Sequence, residues 1–126
     1  MDVSRGEVWW VDLSDTVGAS PGFRRPVLVV QADAFNRSQI GTVIVVALTT
    51  SMRLLDAPGN VLLTRRASGL AKDSVADVSQ LVTLDRGALV ERVARVPRGV
   101  MAQVSNGLRL VLGLGMVTRS VQPHDR

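Results

Sequence analysis

Apolar residues alternate with polar ones, or run together in short stretches, along most of the chain, and this pattern indicates β-strands. It predicts six strands, over residues 7–13, 26–31, 42–48, 61–64, 74–84 and 90–96. The second of these is almost wholly apolar, which is typical of a strand buried on both faces. Residues 33–39 predict a short turn or a single helical turn, and residues 85–89 predict one helical turn. Residues 52–59 predict a loop closed by a Pro-Gly signal.

The pattern changes to a helical period near the C-terminus. From Arg98 onward, one apolar stripe recurs at helical spacing, formed by Val100, Val104, Leu108 and Val111. Pro97 suits a helix start, and Gly113 suits a helix end. We therefore expect a single domain over residues 1–113 and a C-terminal tail over residues 114–126.

Short strands with tight connections and one C-terminal helix indicate an α+β fold. The expected structure is a small, strongly curved antiparallel sheet or a half-open barrel, with the helix packed on its end or flank. In the first strand, Trp9, Val11 and Leu13 share one face. Trp9 is predicted to be a core residue, whereas Trp10 is either core or a platform on which an unpaired base stacks.

The composition excludes several kinds of site. The chain of 126 residues has no cysteine and one histidine, His124, near its C-terminus. A disulfide framework, a thiolate metal site, a His-based metal cluster and a Ser/His/Asp triad are therefore all excluded. A ribonuclease site built on two histidines is excluded as well. We expect neither a metal nor a cofactor.

The net charge of +4 is carried by a set of basic residues that, apart from Lys72, are all arginines. Arginine presents a planar fork that binds phosphate bidentately, so a nucleic-acid partner is compatible with this composition. The N-terminal sequence does not have the pattern of a signal peptide, and no apolar run approaches the ~20 residues that span a bilayer. We expect a cytoplasmic protein with no membrane association.

Two polar segments adjoin predicted strands. Arg24 and Arg25 precede Pro26, which is tolerated as the first residue of a strand, so Arg25 should project from a rigid corner between loop and strand. The hydroxyl triplet of residues 49–51 follows the third strand. The alternative interpretations are a solvated arginine pair and a threonine that merely caps a turn.

Together these residues resemble a known family. The ordered set begins with Arg5-Gly6-Glu7-Val8-Trp9, Asp12-Leu13, Gly18 and Arg25-Pro26-Val27-Leu28-Val29-Val30. It continues through Asn36-Arg37, Leu48-Thr49, Asp73-Ser74-Val75 and Gln80-Leu81-Val82-Thr83-Leu84-Asp85. The order and spacing over residues 4–113 resemble those of the MazF/PemK toxin endoribonucleases. The resemblance implies an SH3-like barrel with added helices, a homodimer, and metal-independent cleavage of single-stranded RNA at short sequences. It also implies a cognate antitoxin whose flexible acidic tail occupies the RNA groove.

The resemblance also implies roles for individual residues. The catalytic pair of the family matches Arg25 and Thr49, with Arg24 and Thr50 as neighbours that would replace them if the register moved by one residue. Gln80 matches a family position near the RNA, and Ser51 and Arg53 are further candidates for RNA contacts. Many relatives carry Ser-Glu-Gln-Gly-Gly where this chain has Ala19-Ser20-Pro21-Gly22-Phe23. This difference affects the expected substrate preference and not the class of reaction.

A site without histidine or metal can cleave RNA because the 2′-hydroxyl of the substrate supplies the nucleophile. Arg25 would stabilise the phosphorane, and Thr49 would donate a further hydrogen bond. The group that accepts the 2′-proton is either a carboxylate such as Glu7 or a phosphate oxygen. Two other functions stay open: a CcdB-like toxin of the same fold that poisons gyrase, and a binding module without catalysis. The chain lacks the Trp-Gly-Ile ending of the CcdB-like toxins, ending instead in Val121-Gln122-Pro123-His124-Asp125-Arg126.

Overall fold

Six antiparallel strands form one curled sheet in the computed structural model, which describes residues 2–14 and 23–115. The order of the strands across the sheet is β4-β5-β3-β2-β1-β6. In chain order they are β1 (Glu7–Asp12), β2 (Arg24–Val29), β3 (Thr42–Thr49), β4 (Val61–Leu63), β5 (Ser74–Asp85) and β6 (Leu89–Arg95). All six predicted strands are present, with ends that differ by up to two residues.

Helical segments connect the strands and end the domain. They are α1 (Asp33–Asn36), α2 (Arg65–Ser68) and α3 (Arg98–Leu112), with 3₁₀ turns over Met52–Asp56 and Arg86–Ala88. The 3₁₀ turn over Met52–Asp56 lies in the predicted loop, and α2 was not predicted. This short helix is capped by Thr64, whose hydroxyl accepts a hydrogen bond from the backbone N–H of Ala67 at 3.2 Å. Among the described residues, no helix is long and apolar enough to cross a membrane.

The sheet buries apolar side chains on both of its faces. One cluster packs beneath α3 and includes Val8, Leu28, Val46 and Val104. The other packs on the opposite face of the sheet and includes Trp9, Val11, Val27, Val29, Val43 and Val45. The predicted division of β1 is confirmed, because its alternate side chains join different clusters. Trp9 is a core residue, only 5% exposed, as predicted.

The C-terminal helix is seated by an apolar stripe and by a close approach of two backbones. Val104 is fully buried, and Val100 and Leu108 pack around it. A Cβ on Gly107 would lie 2.1 Å from the carbonyl oxygen of Gly59, so only glycine fits at this contact. The prediction for Val111 is wrong, since its side chain is 44% exposed. This residue lies beyond the Gly107 contact, where the helix extends past the sheet.

Pro26 lies inside β2, because the strand begins at Arg24 and not at Pro26 as predicted. Pairing of β2 with β1 runs along the whole of this region, from Asp12 opposite Arg24 to Val8 opposite Leu28. Pairing with β3 covers only Val27–Val29. Proline has no N–H to donate, and it lies where the ladder with β3 has ended. β2 is thus paired with β3 over Val27–Val29 and is not paired with it over residues 24–26.

A wide bulge interrupts β5. Val46 of β3 lies opposite Leu81, but the next residue, Ala47, lies opposite Asp77. Residues 78–80 of β5 are therefore extra and have no partner in β3. The sequence pattern predicted one regular strand here. Bulges redirect side chains, and they are common next to functional sites.

Candidate active site

A groove of about 450 Å³ opens on the face of the sheet opposite α3, where β2 and β3 are no longer paired. Its floor and walls are mostly apolar: Val11, Leu13, Phe23, Pro26, Val27, Val45, Ala47, Leu54, Val82 and Leu84. Of the described residues, four with polar side chains also line it, namely Arg25, Thr49, Asp77 and Gln80. An apolar cleft with a few converging polar groups is the usual form of a ligand site.

The strand register brings Arg25 and Thr49 to the same place. Val27 of β2 lies opposite Ala47 of β3. Two residues further along both strands, in the same direction, are Arg25 and Thr49. Side chains two residues apart in a strand lie on the same face, so both side chains point into the groove. The two residues predicted to be catalytic therefore line one site.

The guanidinium of Arg25 is available to an anionic ligand. Its nearest aromatic neighbour is Phe23, whose ring centroid lies 5.8 Å from the guanidinium carbon. Within the described part of the chain, the only ion pairs join Glu7 to Arg92 and Arg95. Arg25 thus carries a positive charge that no described carboxylate neutralises, at the edge of an apolar groove.

The hydroxyl of Thr49 has a defined orientation. Its oxygen accepts a hydrogen bond from the backbone N–H of Ser51 at 3.2 Å. This bond uses an acceptor position of the hydroxyl and leaves its proton for a ligand. Thr49 therefore both stabilises the turn after β3 and presents a donor to the groove.

The bulge in β5 supplies the opposite wall of the groove. Gln80 is one of the extra residues, and Asp77 immediately precedes them. Asn60 fixes the bulge, since its Oδ1 accepts from the backbone N–H of Val78 at 2.9 Å. The Nδ2 of the same side chain donates to the carbonyl oxygen of Leu54 at 2.9 Å. One half-buried amide thus joins the 3₁₀ turn after Thr49 to the strand that carries Gln80.

Sequence reasoning missed Asp77, Phe23 and Leu54 as residues that line the groove. A signal for Asp77 existed, because an aspartate is unusual in the middle of an apolar strand such as Val75-Ala76-Asp77-Val78. No comparable signal marks Leu54. Its place in the groove depends on the 3₁₀ turn, which the loop prediction did not contain.

The other residues predicted to bind RNA lie around the groove and do not line it. Arg24 adjoins Arg25 in β2, so its side chain points to the other face of the strand, opposite Asp12. Hydrogen bonds from Ser14, and to a smaller extent the charge of Arg24, hold the pKa of Asp12 below its ordinary value. Thr50, Ser51 and Arg53 follow Thr49 within four residues of the chain, and none of them lines the groove. Their contacts with RNA stay a prediction.

Glu7 is engaged elsewhere and does not line the groove. Its Oε1 accepts from the backbone N–H of Ser4 and from Trp9 Nε1, each at 3.0 Å, and its Oε2 accepts from Arg92 Nη1 at 3.0 Å. Burial alone would raise the pKa of Glu7, but these hydrogen bonds outweigh it and lower the pKa below its ordinary value of 4.5. This carboxylate is a structural anion, and the structure does not place it where the 2′-proton would be taken.

Trp10 packs against the cluster beneath α3, on the face opposite the groove. The alternative in which it stacks on a base at this site is therefore wrong. Phe23 is the aromatic residue that lines the groove. The loop difference noted at residues 19–23 falls mostly outside the described residues, as do residues 116–126 of the predicted tail.

Known proteins share this sequence and architecture. Residues 4–112 match the model of the PemK-like, MazF-like toxins of type II toxin–antitoxin systems. The chain is 44% identical to endoribonuclease MazF6 of Mycobacterium tuberculosis over 114 residues, which are 90% of this chain and 100% of the relative. It is 35% identical to endoribonuclease EndoA of Bacillus subtilis, again over 90% of this chain and over 97% of the relative.

Solved structures confirm the fold. A mycobacterial endoribonuclease in complex with its cognate antitoxin superimposes with a TM-score of 0.71 and 26% identity, covering 91% of this chain and 99% of that one. The predicted α+β architecture with a strongly curved antiparallel sheet is therefore correct. The chain belongs to the family of PemK-like, MazF-like toxins of type II toxin–antitoxin systems.

Proposed function

We propose that this chain is an endoribonuclease toxin that cleaves single-stranded RNA at short sequences, without a metal, through attack by the 2′-hydroxyl of the substrate. The observation that carries the proposal is that Arg25 and Thr49 line one groove and that no described carboxylate neutralises the charge of Arg25. The curated relatives named above are endoribonucleases, which supports the same reaction class.

The reaction follows from the residue types. The 2′-oxygen attacks the adjacent phosphorus, and the bond to the 5′-oxygen of the next nucleotide breaks. The products are a 2′,3′-cyclic phosphate and a 5′-hydroxyl. Arg25 offers two parallel N–H donors to the non-bridging oxygens as negative charge accumulates, and Thr49 donates one more. The apolar walls exclude water, which strengthens these interactions.

The reaction also needs a group that accepts the proton of the 2′-hydroxyl. Arginine does not release its proton at physiological pH, so Arg25 is not a general base. Glu7 is committed to its own hydrogen bonds. We therefore assign the 2′-proton to a non-bridging phosphate oxygen of the substrate, from which it passes to the departing 5′-oxygen and completes the 5′-hydroxyl. A site without a dedicated base predicts modest turnover.

The proposed partners follow from the same surface and from the relatives. A mycobacterial relative is known in complex with its cognate antitoxin, and we propose an antitoxin with a flexible acidic tail for this chain. Its carboxylates would compete with RNA phosphates for Arg25, so toxin inhibition and RNA binding would share one salt-sensitive site. The site of action would be the cytoplasm, where messenger RNA is found.

We also propose a homodimer. The C-terminal end of α3 and the residues after it expose apolar side chains: Leu110, Val111, Leu112 and Leu114. Such clusters are unusual on monomers, and they mark contact surfaces. Sedimentation of the wild type and of a Leu110→Glu variant would test this arrangement, because a charge in a dimer contact should shift the equilibrium to the monomer.

The test of the proposed function is incubation of the purified protein with a long single-stranded RNA in EDTA, followed by mapping of the fragment ends. Wild-type protein should cut at a recurring short sequence and leave 5′-hydroxyl ends. Arg25→Ala and Thr49→Ala should each lower the cleavage rate by about 10²- to 10³-fold. Arg66→Ala is the matched control, since it removes the same charge from an exposed position in α2. Intact RNA together with growth arrest on expression would contradict the proposal and favour a toxin that acts on a protein.

A further inference from the structure

We propose that Asp77 selects one base of the substrate, favouring a base that carries an exocyclic amino group over uracil. The inference rests on the RNA-cleaving function proposed above. Among the described residues that line the groove, Asp77 is the one acidic residue. A carboxylate repels phosphate, so its presence in a groove for RNA requires a partner other than the backbone.

Asp77 lies apart from the two residues that would bind the reacting phosphate. Asp77 lies opposite Ala47, which lies opposite Val27. Arg25 and Thr49 are two residues further along their strands, which corresponds to roughly 7 Å. A phosphate bound by Arg25 and Thr49 would therefore leave Asp77 at the distance of a base and not at the distance of the reacting atoms.

The hydrogen bonds of Asp77 leave one of its oxygens for a ligand. Ser79 donates twice to Oδ1, from its hydroxyl at 2.7 Å and from its backbone N–H at 3.3 Å. Each carboxylate oxygen has about two acceptor positions, so Oδ1 is saturated, and no described group donates to Oδ2. Ser79 is also part of the bulge, which fixes the carboxylate relative to Gln80.

The base that fits can be identified from donors and acceptors. Cytosine, adenine and guanine each present an exocyclic amino group that donates to a carboxylate, and aspartate commonly pairs with the N4 amino group of cytosine. Uracil presents carbonyl oxygens on both sides of its single N–H, and these oxygens repel a carboxylate. Gln80, which lies beside Asp77 in the groove, carries both a donor and an acceptor and can complete the edge of any of the favoured bases.

The apolar surroundings of Asp77 strengthen its discrimination against uracil. Val27, Ala47 and Val82 line the groove around Asp77, and a base inserted against them displaces water. A uracil in the same place would displace water and offer only its N3–H, which lies between two carbonyl oxygens that repel the carboxylate. Sites that bury a polar group discriminate strongly against ligands that cannot pair with it.

The decisive variant is Asp77→Asn, which keeps the shape of the side chain and an oxygen that accepts from Ser79. It replaces the free acceptor by an NH₂ donor that matches a carbonyl oxygen of uracil. Wild-type protein and the variant are incubated with a random-sequence RNA library, and relative cleavage rates are read at every position around the cut. Wild type should disfavour uracil at one position, and Asp77→Asn should weaken that discrimination by about tenfold or reverse it.

Asp56→Asn is the matched control, because it removes the same charge from an exposed position in the 3₁₀ turn and should leave the base preferences unchanged. Thermal melting verifies that each variant is folded, and Asp77→Ala provides a second test, in which the discrimination should be lost without reversal. Cleavage by Asp77→Asn with unaltered preferences would overturn the role of Asp77 and leave the proposed function intact. A uniform loss at all sequences would also overturn it, because Asp77 would then act in the chemistry. If wild-type protein cuts nothing, the proposed function fails, and the preference is read from library RNA retained on immobilised protein.

Discussion

Asn60 accepts a hydrogen bond from the backbone N–H of Val78 at 2.9 Å, and this contact holds the bulge that shapes one wall of the groove. The bulge has no partner in β3, so its backbone groups depend on contacts of this kind. The second hydrogen bond of Asn60, to the carbonyl oxygen of Leu54, connects the bulge to the turn after Thr49. The two walls of the groove are thus positioned by one side chain.

Replacing Asn60 tests this connection. Asn60→Ala leaves the Val78 N–H and the Leu54 carbonyl without this partner and should lower the free energy of unfolding by about 1–3 kcal/mol. Cleavage should also slow, because misplaced groove residues lose their alignment with the substrate. Asn60→Asp keeps the acceptor for Val78 but sets a carboxylate oxygen against the Leu54 carbonyl oxygen, so it should also be less stable than wild type. Urea unfolding and cleavage kinetics measure the two effects. Wild-type values of both for Asn60→Ala would contradict the assigned role.

Two glycines of α3 should respond to alanine in opposite directions. A Cβ at Gly107 meets the backbone of Gly59, whereas a Cβ at Gly99 has no atom within 4 Å. Gly107→Ala should destabilise the protein by about 3 kcal/mol or more, because backbone must move. Gly99→Ala should be neutral or stabilise it by up to about 1 kcal/mol. Equal effects of the two substitutions on thermal unfolding would show that the helix is not seated by the close contact.

Glu7 should contribute stability that depends on pH. Its pKa is lower in the folded protein than its ordinary value, so its contribution is present above about pH 4.5 and is lost as the pH falls through the folded-state pKa. At pH 7, Glu7→Gln should lower the free energy of unfolding by about 1–2 kcal/mol, a modest amount because Arg92 is largely exposed to solvent. Urea unfolding between pH 7 and pH 3 should show the difference between variant and wild type shrinking. A difference that grows towards acid would contradict this account.

Two substitutions separate the effect of the Thr49 hydroxyl on cleavage from the effect of the side-chain shape. Thr49→Ser retains the donor and should keep most of the activity, whereas Thr49→Val retains the shape and should lose about 10²-fold in cleavage rate. Binding of uncleaved RNA should change far less than the rate, since the donor acts mainly on the transition state. Cleavage rates under single-turnover conditions make this comparison. A valine variant as active as the serine variant would exclude Thr49 from the chemistry.

Much of the fold could be predicted from the sequence because the strands carry clear periodic patterns. The buried β2 and β3, and the stripe on α3 as far as Leu108, follow directly from the apolar spacing. Helix α2 was missed because four residues are too few to show a helical period, although Thr64 and Gly69 are a suitable cap and end for it. Val111 was misassigned because periodicity does not reveal where a helix leaves the sheet.

The candidate site was predictable only in part, because the bulge in β5 decides which side chains of that strand reach the groove. Arg25 and Thr49 follow from strand ends and from the family resemblance, and the structure places both in the groove. Asp77 could not be placed, because a regular strand and a bulged strand have the same composition. The bulge arises from Asn60, which is distant in sequence from the residues it positions. Long-range hydrogen bonds of this kind leave no periodic signal.

The central claim is that the groove cleaves RNA by means of the 2′-hydroxyl of the substrate. The most direct measurement compares wild-type cleavage, in EDTA, of two RNAs that contain the preferred site and differ only in one 2′-deoxyribose on the 5′ side of the cut. The account predicts that the all-ribose RNA is cut and leaves 5′-hydroxyl and 2′,3′-cyclic phosphate ends. It predicts that the 2′-deoxy RNA is bound with similar affinity and stays intact. Cleavage of both RNAs at the same bond would mean that water or an enzyme side chain is the nucleophile, which would contradict the mechanism.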